Sequence, residues 1–436
     1  MPKCTEVTVQ FGRVGRRVVE AAFDGGDIVS DGGVLLLKQV DERLGLTRAA
    51  AKAFGDERRG ASVSHSMHSM LAQRIYGLCL GWSDVCDHNV LRRDLVLQTA
   101  VGRAEPLASG PTLSRLETGA TPEHAAALHE VLMQQFIASH AKPPRELVLD
   151  VDATHVPLHG EQERGHFHAY YDNYCYLPLY VFAGQSLLAC VLRPSDRDPA
   201  SVVSALIKRL LVPLRCAWPK TKIIVRADSG FCRPRLLQRL ERWGVSYIIG
   251  LQKNSRLKEQ VALAELALAD QYAARQTKQR MFGEFMYAAK TWDKPRRVIA
   301  RLEHGEQGAN PRFIVTDLAG SAQLLYERRY CARGEAENRI KEAQLDLFGR
   351  RASCHRFWAN QLRLLLAALA YTLMINLRQL ALAGTELAQA CTATIRTRLL
   401  KIGAAVVRNT RRVRVLLASA HPMKDVFLAA ARALSP

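Results

Sequence analysis

Residues 146–156, ELVLDVDATHV, contain an apolar run over 147–153 that Asp150 and Asp152 interrupt. A run of this length and composition predicts a buried strand. Both aspartates point to the same face, because side chains two residues apart on a strand share a face. A carboxylate on a buried strand costs desolvation energy unless something pairs with it. The stretch therefore predicts the centre of a sheet with a polar site at one end.

The segments after this strand predict how the sheet is built. A hairpin follows, and then helices alternate with apolar strands. In order these segments are YLPLYVFAG, SLLACVLRP, DPASVVSALIKRLL, KIIVRAD, RPRLLQRLERWG and VSYIIGL. A hairpin followed by crossover units implies an α/β fold with a mixed sheet covered by helices.

The pattern changes along the chain suggest five regions. We expect a helical N-terminal region, the first part of an α/β core, an inserted β-rich subdomain, the last part of the core, and a basic helical C-terminal region. Their predicted ranges are 1–140, 141–251, 252–325, 326–380 and 381–436. Within the first, SGPTLSRLETG fits either part of a helix-turn-helix or an ordinary connecting helix.

The composition indicates a folded protein that binds polyanions. Sixty-one Lys and Arg face forty-one Asp and Glu, which gives a net charge of +20. Such a surface attracts nucleic acid first. The most apolar run, 364–377, is shorter than the roughly 20 residues of a membrane span and predicts a buried helix. Ten scattered Cys without a CxxC pair predict reduced thiols, and no export signal precedes them, so we expect a cytoplasmic protein.

The stretch YCARGEAENRIKEAQLDLFG, residues 330–349, carries an unusual polar stripe. At about 100° per residue of an α-helix, five side chains fall within one arc, and separate apolar and charged faces account for the rest. The residues of this stripe are Tyr330, Arg333, Glu337, Lys341 and Gln344. Neither core packing nor solvation explains such a face.

Carboxylates at two strand ends and on this helix suggest a shared site. Asp152 and Asp228 end predicted neighbouring strands, and the polar stripe can bring Glu337 beside them. Taken singly, each aspartate is explained by capping a turn. Together, three carboxylates favour binding of a divalent cation. Their hard oxygen ligands suit Mg²⁺ or Mn²⁺. Two such ions support phosphodiester cleavage, which in a basic protein means DNA or RNA.

The order of these motifs resembles the DDE transposases of bacterial insertion sequences. The resemblance spans nearly the whole chain. More specifically, the sequence resembles the branch of this family that has an inserted β-subdomain and a Tyr-x2-Arg-x3-Glu-x6-Lys signature. The segments that carry it are DATHVPLHGEQE, RADSGF, YDNYCYLPLYVF and RGEAENRIKEAQLDLF. It implies a ribonuclease-H-like core, with Asp152, Asp228 and Glu337 as catalytic metal ligands, and cut-and-paste cleavage and transfer at terminal inverted repeats.

The resemblance also assigns DNA contacts to the polar stripe. Tyr330 and Arg333 would hold the DNA end by stacking and a phosphate contact. The family pattern expects Lys seven residues after the glutamate, where this chain has Gln344, and Lys341 is an alternative source of that charge. Asp150 is the rival of Asp152 as first ligand, and the Asp-x-Thr pattern favours Asp152.

Three further sequence patterns bear on zinc, nucleotide and DNA binding. Four histidines between residues 155 and 168 suggest zinc, but no cysteine has suitable spacing, and loop histidines near DNA fit better. The glycines of GGDIVSDGG do not form a phosphate loop. Residues 395–415 hold seven basic and no acidic side chains, among them Arg411 and Arg412, which favours phosphate contacts over a merely solvated helix face.

The sequence therefore predicts a DNA transposase that uses Mg²⁺ or Mn²⁺, with two ions, and acts on inverted-repeat ends and target DNA. We expect a homodimer in the DNA complex, a nucleoid-associated bacterial location and no membrane partner. A ribonuclease-H-like nuclease that cuts without joining, and a DNA-binding protein that has lost catalysis, remain the alternatives.

Overall fold

The computed structural model describes residues 8–60, 63–198 and 200–435. The chain divides into two compact units. The first combines Met1–Leu116 with Leu373–Pro436, and the second is the continuous stretch Glu117–Thr372.

The N-terminal part opens with short strands and continues as helices. A hairpin of two exposed strands precedes a third short strand. These strands are β1 (Val9–Val14), β2 (Arg17–Ala21) and β3 (Ile28–Val29). The helices are α1 (Val34–Leu44), α2 (Leu46–Phe54), α3 (Met67–Leu80), α4 (His88–Leu91), α5 (Leu95–Val101), α6 (Gly110–Thr118) and α7 (Pro122–Ala138). The helical prediction thus fits from Val34 onward, and the hairpin was not predicted.

The second unit is built on one large sheet. Its first strands and helices are β4 (Glu146–Ala153), β5 (Val156–Pro157), β6 (His166–His168), β7 (Asn173–Tyr176), β8 (Leu179–Ala183), β9 (Ser186–Val191), α8 (Val203–Ala217), β10 (Lys222–Ala227), α9 (Pro234–Arg242) and β11 (Ser246–Leu251). Strands β5, β7 and β6 form a separate small sheet. The other five strands of this list lie in the large sheet, in agreement with the order of elements read from the sequence.

The remaining elements complete both units. They are α10 (Ser255–Arg275), β12 (Gln279–Tyr287), β13 (Arg296–Gly305), β14 (Gly308–Ala309), β15 (Arg312–Thr316), α11 (Ala322–Leu324), α12 (Gly334–Lys341), α13 (Phe357–Ala381), α14 (Thr392–Ile395), β16 (Ala404–Arg408), β17 (Val413–Leu417) and α15 (Lys424–Leu434).

The large sheet is mixed, with the order β12-β13-β15-β11-β10-β4-β8-β9 and β14 beside β13. Strand β10 is parallel to both β4 and β11, whereas the other pairs are antiparallel. The carboxyl ends of β4 and β10 therefore meet at the same edge of the sheet. This is the neighbourhood predicted for Asp152 and Asp228, and the mixed α/β sheet with flanking helices agrees with a ribonuclease-H-like fold.

Different groups of side chains pack against the two faces of the sheet. Leu149 and Val151 of β4 join the main core with apolar side chains of α8 and α9, such as Ile207 and Leu237. The opposite face of β4 carries Val148, Asp150 and Asp152. A smaller apolar cluster covers this second face, and it includes side chains of the segment that precedes α12. The alternation of β4 thus separates a core face from the polar face.

The region 252–325, predicted as an inserted β-rich subdomain, continues the large sheet. Its strands occur where predicted, but β15 pairs with β11, so that β12, β13 and β15 extend the large sheet. The helix α10 was missed. Only three of its twenty-one residues are buried, which leaves a weak apolar periodicity in the sequence.

The prediction of a helical C-terminal region is wrong for part of its length. Strands β16 and β17 form an antiparallel hairpin, and β16 also pairs with β3. Between the strands, the Asn409 side chain accepts hydrogen bonds from the backbone N–H groups of Arg411 and Arg412. An Asn that bonds the backbone two residues on is a turn signal, and β-branched valines flank it on both sides.

The predicted helix over 330–349 is not one regular helix. The chain is π-helical over Leu325–Tyr330, forms a 3₁₀ turn over Cys331–Arg333, continues as α12, and is π-helical again over Glu342–Asp346. Ala336, Ile340, Ala343 and Leu347 of the predicted core face are buried. Each change of helix type alters the hydrogen-bonding step, so a projection at constant angle fails across the segment.

One helix of the described chain, α13, is long and apolar enough to cross a membrane, and 78% of its most apolar window is buried within the protein. Burial of this kind is what the sequence predicted for residues 364–377.

Candidate active site

Asp152 lies near the end of β4, on the polar face of the sheet. In the antiparallel pairing of β4 with β8, Asp152 lies opposite Tyr180. The carboxylate accepts a hydrogen bond from its own neighbour, the backbone N–H of Ala153, at 2.9 Å. Burial raises the pKa of Asp152 to about 7, the negative charges of Asp228 and Glu337 act in the same direction, and Arg333 opposes them. A buried carboxylate with such neighbours is a candidate functional group.

Asp228 follows the last residue of β10 and caps the short 3₁₀ turn Ser229–Phe231, where its Oδ1 accepts from the Gly230 N–H at 2.8 Å. The loop passes very close to Gly250 of β11. A Cβ atom on Gly250 would lie 2.7 Å from the Ser229 nitrogen and 2.6 Å from the Tyr330 hydroxyl. Only glycine at position 250 leaves room for both neighbours.

Glu337 lies on α12, one helical turn after Arg333. Arg333 donates to both Asp152 Oδ2, at 3.0 Å, and Glu337 Oε1, at 2.6 Å. Its side chain is 20% exposed, that of Asp152 12% and that of Glu337 45%. Two of the three predicted acids are therefore joined through one guanidinium group, although they are far apart in the sequence.

The third acid is close enough to act electrostatically. The charge of Asp228 raises the pKa of Asp152 and contributes to the raised pKa of Tyr330. Within the described residues, however, no group of three or more His, Cys, Asp or Glu side chains is arranged to hold a metal ion. The donor set has the oxygen chemistry that Mg²⁺ prefers. In the present arrangement, Arg333 occupies the place between two of its members.

Asp150, the rival first ligand, has a different environment. Arg226 of the adjacent strand binds it through two nitrogens, with a distance of 2.8 Å from Nη2 to Oδ2. The two side chains are 6% and 12% exposed. The register pairs these residues directly across β4 and β10. Asp150 is thus engaged in a buried, bidentate ion pair within the sheet.

Tyr330 packs against protein rather than standing free. Its ring lies beside that of Tyr326, with 5.5 Å between centroids, and against the smaller apolar cluster. Burial is the main cause that raises the pKa of its hydroxyl to about 12. Its predicted role of stacking on DNA stays a prediction.

The two candidates for the missing lysine lie in different places. Lys341 is exposed at the end of α12. Gln344 is buried, and its Oε1 accepts from the Thr154 hydroxyl at 3.4 Å. Gln344 lies in the π-helical segment Glu342–Asp346 and faces the protein near Thr154, and its predicted DNA contact stays a prediction.

Arg411 and Arg412 lie in the first unit, in the turn between β16 and β17. Both are exposed. They are presented by a hairpin rather than by the helix face that the sequence suggested. The turn places these two exposed basic side chains next to each other.

Some residues of the site were not foreseen from the sequence. Sequence patterns assign no role to Arg226, which pairs with Asp150, or to Gly250, which lies against the Asp228 loop. The His155 ring, three residues after Asp152, stacks on Tyr171 at 4.3 Å and 16°. Tyr171 also contacts Tyr170, which is 84% exposed. The sequence predicted that loop histidines such as His155 lie near DNA, which stays a prediction, whereas the stacking of His155 on Tyr171 was not predicted.

Comparison with known proteins places the chain in a family. A solved structure of a piggyBac transposase synaptic complex with hairpin DNA is similar to it, with a TM-score of 0.42 and 10% identity over 85% of this chain and 80% of that one. No curated relative matches the sequence. The profile of the family described as Transposase DDE domain group 1 matches residues 11–436. Because this match covers nearly the whole chain, the protein belongs to the DDE transposases and is a DNA-cleaving and strand-transferring enzyme.

Proposed function

We propose that Asp152, Asp228 and Glu337 are the catalytic acids of this transposase. The observation that carries the assignment is the junction at Arg333, which joins Asp152 of the sheet to Glu337 of α12. Asp228 supports it, because its charge acts on the same carboxylate. Asp150 is not part of the proposed set, since Arg226 already pairs with it.

The proposed acids require positive charge to stay ionised together. Two like unit charges about 4 Å apart repel by about 4 kcal/mol at an effective dielectric near 20. DDE transposases generally use divalent metal ions. We propose Mg²⁺ or Mn²⁺, with two ions held by these three carboxylates. The bound metal would supply Lewis-acid stabilisation and lower the pKa of the attacking water or hydroxyl group.

The chain's own side chains would place the DNA strand at these acids. Arg333 has a planar guanidinium group that suits phosphate as well as carboxylate. Lys341 stands on the exposed end of the same helix. The exposed ring of Tyr170 and the half-buried Tyr171 lie beside the strand end that carries Asp152. Phosphate contacts of this kind position the duplex, and they do not by themselves read its sequence.

A second group of contacts would come from the basic turn of the first unit. Arg411 and Arg412 are exposed there, and neutralising phosphates releases counterions from DNA. We propose that the substrates are the inverted repeats that flank the gene, together with target DNA. We further propose a homodimer in the DNA complex and a cytoplasmic, nucleoid-associated location.

The test uses a duplex that contains the inverted repeat flanking the coding region. With Mg²⁺, the wild-type protein should nick this duplex and join the released 3′ end to a plasmid. Glu337→Ala should bind the same duplex with nearly unchanged affinity and produce neither product. Cleavage by Glu337→Ala at the wild-type rate would contradict the assignment. Cleavage without joining by the wild type would indicate a nuclease.

A further inference from the structure

Arg333 occupies the place where the proposed function requires a metal cation. Its two terminal nitrogens contact one oxygen each of Asp152 and Glu337, at 3.0 and 2.6 Å. Each of these contacts occupies a lone pair on the oxygen that an ion bridging Asp152 and Glu337 would use. The positive charge of Arg333 also repels any cation that approaches this pair.

The backbone at Arg333 is suited to moving its side chain. Arg333 ends the 3₁₀ turn Cys331–Arg333 and directly precedes α12, with a π-helical segment on the other side of the turn. Short stretches of 3₁₀ and π geometry inside a helix often mark hinges at functional sites. The side chain is 20% exposed, so it can reach solvent or a ligand without leaving the helix.

The neighbouring pair of Asp150 and Arg226 shows what a fixed arrangement looks like. There the arginine lies on a strand that is hydrogen-bonded to the strand of its partner. Arg333 has no such backbone tie to β4, because it belongs to the segment that packs over the sheet. Its contacts with the acids are made by the side chain alone.

We propose that Arg333 is an exchangeable cation that makes metal binding depend on the DNA end. Without DNA, Arg333 bridges Asp152 and Glu337 and weakens metal binding. When a DNA phosphate arrives, the guanidinium group transfers from the carboxylates to the phosphate and frees their oxygens for the divalent ion. This inference rests on the proposed function, because it takes the same acids as metal ligands. The device prevents the enzyme from assembling a charged metal site away from its substrate.

The coupling can be measured without any cleavage. Mn²⁺ binding is followed by electron paramagnetic resonance in the wild-type protein, with and without saturating inverted-repeat duplex, after subtraction of Mn²⁺ bound by the duplex alone. DNA should tighten Mn²⁺ binding by about 10-fold or more, within the usual range of coupling between two sites. By reciprocity, Mn²⁺ should tighten DNA binding by the same factor.

Substitution of Arg333 should remove this dependence. In Arg333→Ala, the DNA-free protein should bind Mn²⁺ at least 5-fold more tightly than the wild type, and saturating DNA should change that affinity by less than about 2-fold. Arg333→Gln, which keeps much of the side-chain length, provides a second variant if Arg333→Ala does not fold. The matched control is Arg339→Ala on the same helix, where Arg339 pairs with Glu335 one turn away. It should behave as the wild type.

Two results would overturn the proposed exchange at Arg333 without affecting the proposed function. These are Mn²⁺ binding by the wild type that does not respond to DNA, or folded Arg333 variants that bind Mn²⁺ no more tightly than the wild type. A failure of the proposed function is recognised separately with Asp152→Asn in the DNA complex. If this variant keeps wild-type Mn²⁺ affinity, the acids are not the metal ligands, and the exchange at Arg333 is overturned with them.

Discussion

Two regions on the same face of β4 each pair an aspartate with an arginine, and they differ in what holds the arginine. Asp150 faces Arg226 across two hydrogen-bonded parallel strands, and both side chains are almost fully buried. Asp152 faces Arg333, which stands at a break in a helical segment and also binds the half-exposed Glu337.

We propose that this difference separates a structural ion pair from a functional one. Arg226 is placed by the ladder of the sheet, so its pair with Asp150 persists as long as the sheet does. Arg333 is placed by a segment with irregular helical geometry, and its partners carry excess negative charge. A pair of the first kind maintains the fold, whereas a pair of the second kind can exchange partners.

The largest expected effect comes from the two aspartates of β4. Asp152→Asn should lower DNA cleavage by about 10³-fold, since losing roughly 4 kcal/mol of charge interaction corresponds to that factor. Asp150→Asn should cleave within about 10-fold of wild type at a temperature where it remains folded. Single-turnover cleavage of the inverted-repeat duplex provides the measurement, and circular dichroism verifies folding. Equal loss of cleavage in both folded variants would remove the distinction between the two regions.

The next effect concerns the arginines and the free energy of unfolding. Arg226→Met should lower the free energy of unfolding by about 3–5 kcal/mol, because the substitution leaves Asp150 buried without its partner. Arg333→Met should lower it by about 1 kcal/mol, since its pair includes a half-exposed carboxylate. Urea unfolding followed by tryptophan fluorescence measures both. A larger loss in Arg333→Met than in Arg226→Met would show that the functional and structural labels are reversed.

A smaller effect should follow from filling the space at Gly250. Gly250→Ala places a methyl group against the Ser229 backbone and the Tyr330 hydroxyl, so overpacking should cost about 1–3 kcal/mol and displace Asp228. Cleavage should fall more than DNA binding does. Gly283→Ala is the control, because a Cβ atom there meets nothing within 4 Å. Unchanged cleavage in Gly250→Ala would argue that the position of the Asp228 loop is not critical.

The smallest effect is expected in the basic turn of the first unit. Replacing Arg411 and Arg412 together by Ala should weaken DNA binding several-fold at moderate salt. The slope of log K against log salt should become shallower by about 0.9 for each lost phosphate contact. Fluorescence anisotropy over a salt series measures this, with exposed Lys52→Ala as the control. An unchanged slope would place the DNA elsewhere.

The sheet, and the strand ends and helix that carry the three proposed acids, could be predicted because local patterns determine these elements. Apolar runs bounded by turn residues marked β4, β10 and β11, and parallel neighbours bring Asp152 and Asp228 to one edge. The Glu337 helix was found from its polar stripe. The family assignment follows from the same motifs, and the match over residues 11–436 confirms it.

The remaining features depend on tertiary packing that a single sequence does not display. The burial of Gln344 results from a π-helical segment, which a constant angle per residue does not reproduce. The hairpin β16–β17 was predicted as a helix because the density of basic residues does not distinguish a helix from a hairpin, whereas the Asn409 turn does. The pairing of Arg226 with Asp150, and of Arg333 with Asp152, depends on strand register and on segments far apart in the chain.

The central claim is that residues 152, 228 and 337 meet around one metal site once DNA is bound. Fe²⁺ in place of Mg²⁺, with ascorbate and peroxide, generates hydroxyl radicals that cut the polypeptide close to the ion. In the complex with the inverted-repeat duplex, the account predicts three cuts, near Asp152, Asp228 and Glu337, all suppressed by excess Mg²⁺ and absent in Asp152→Asn. Cuts confined to one of these positions, or located elsewhere in the chain, would contradict it.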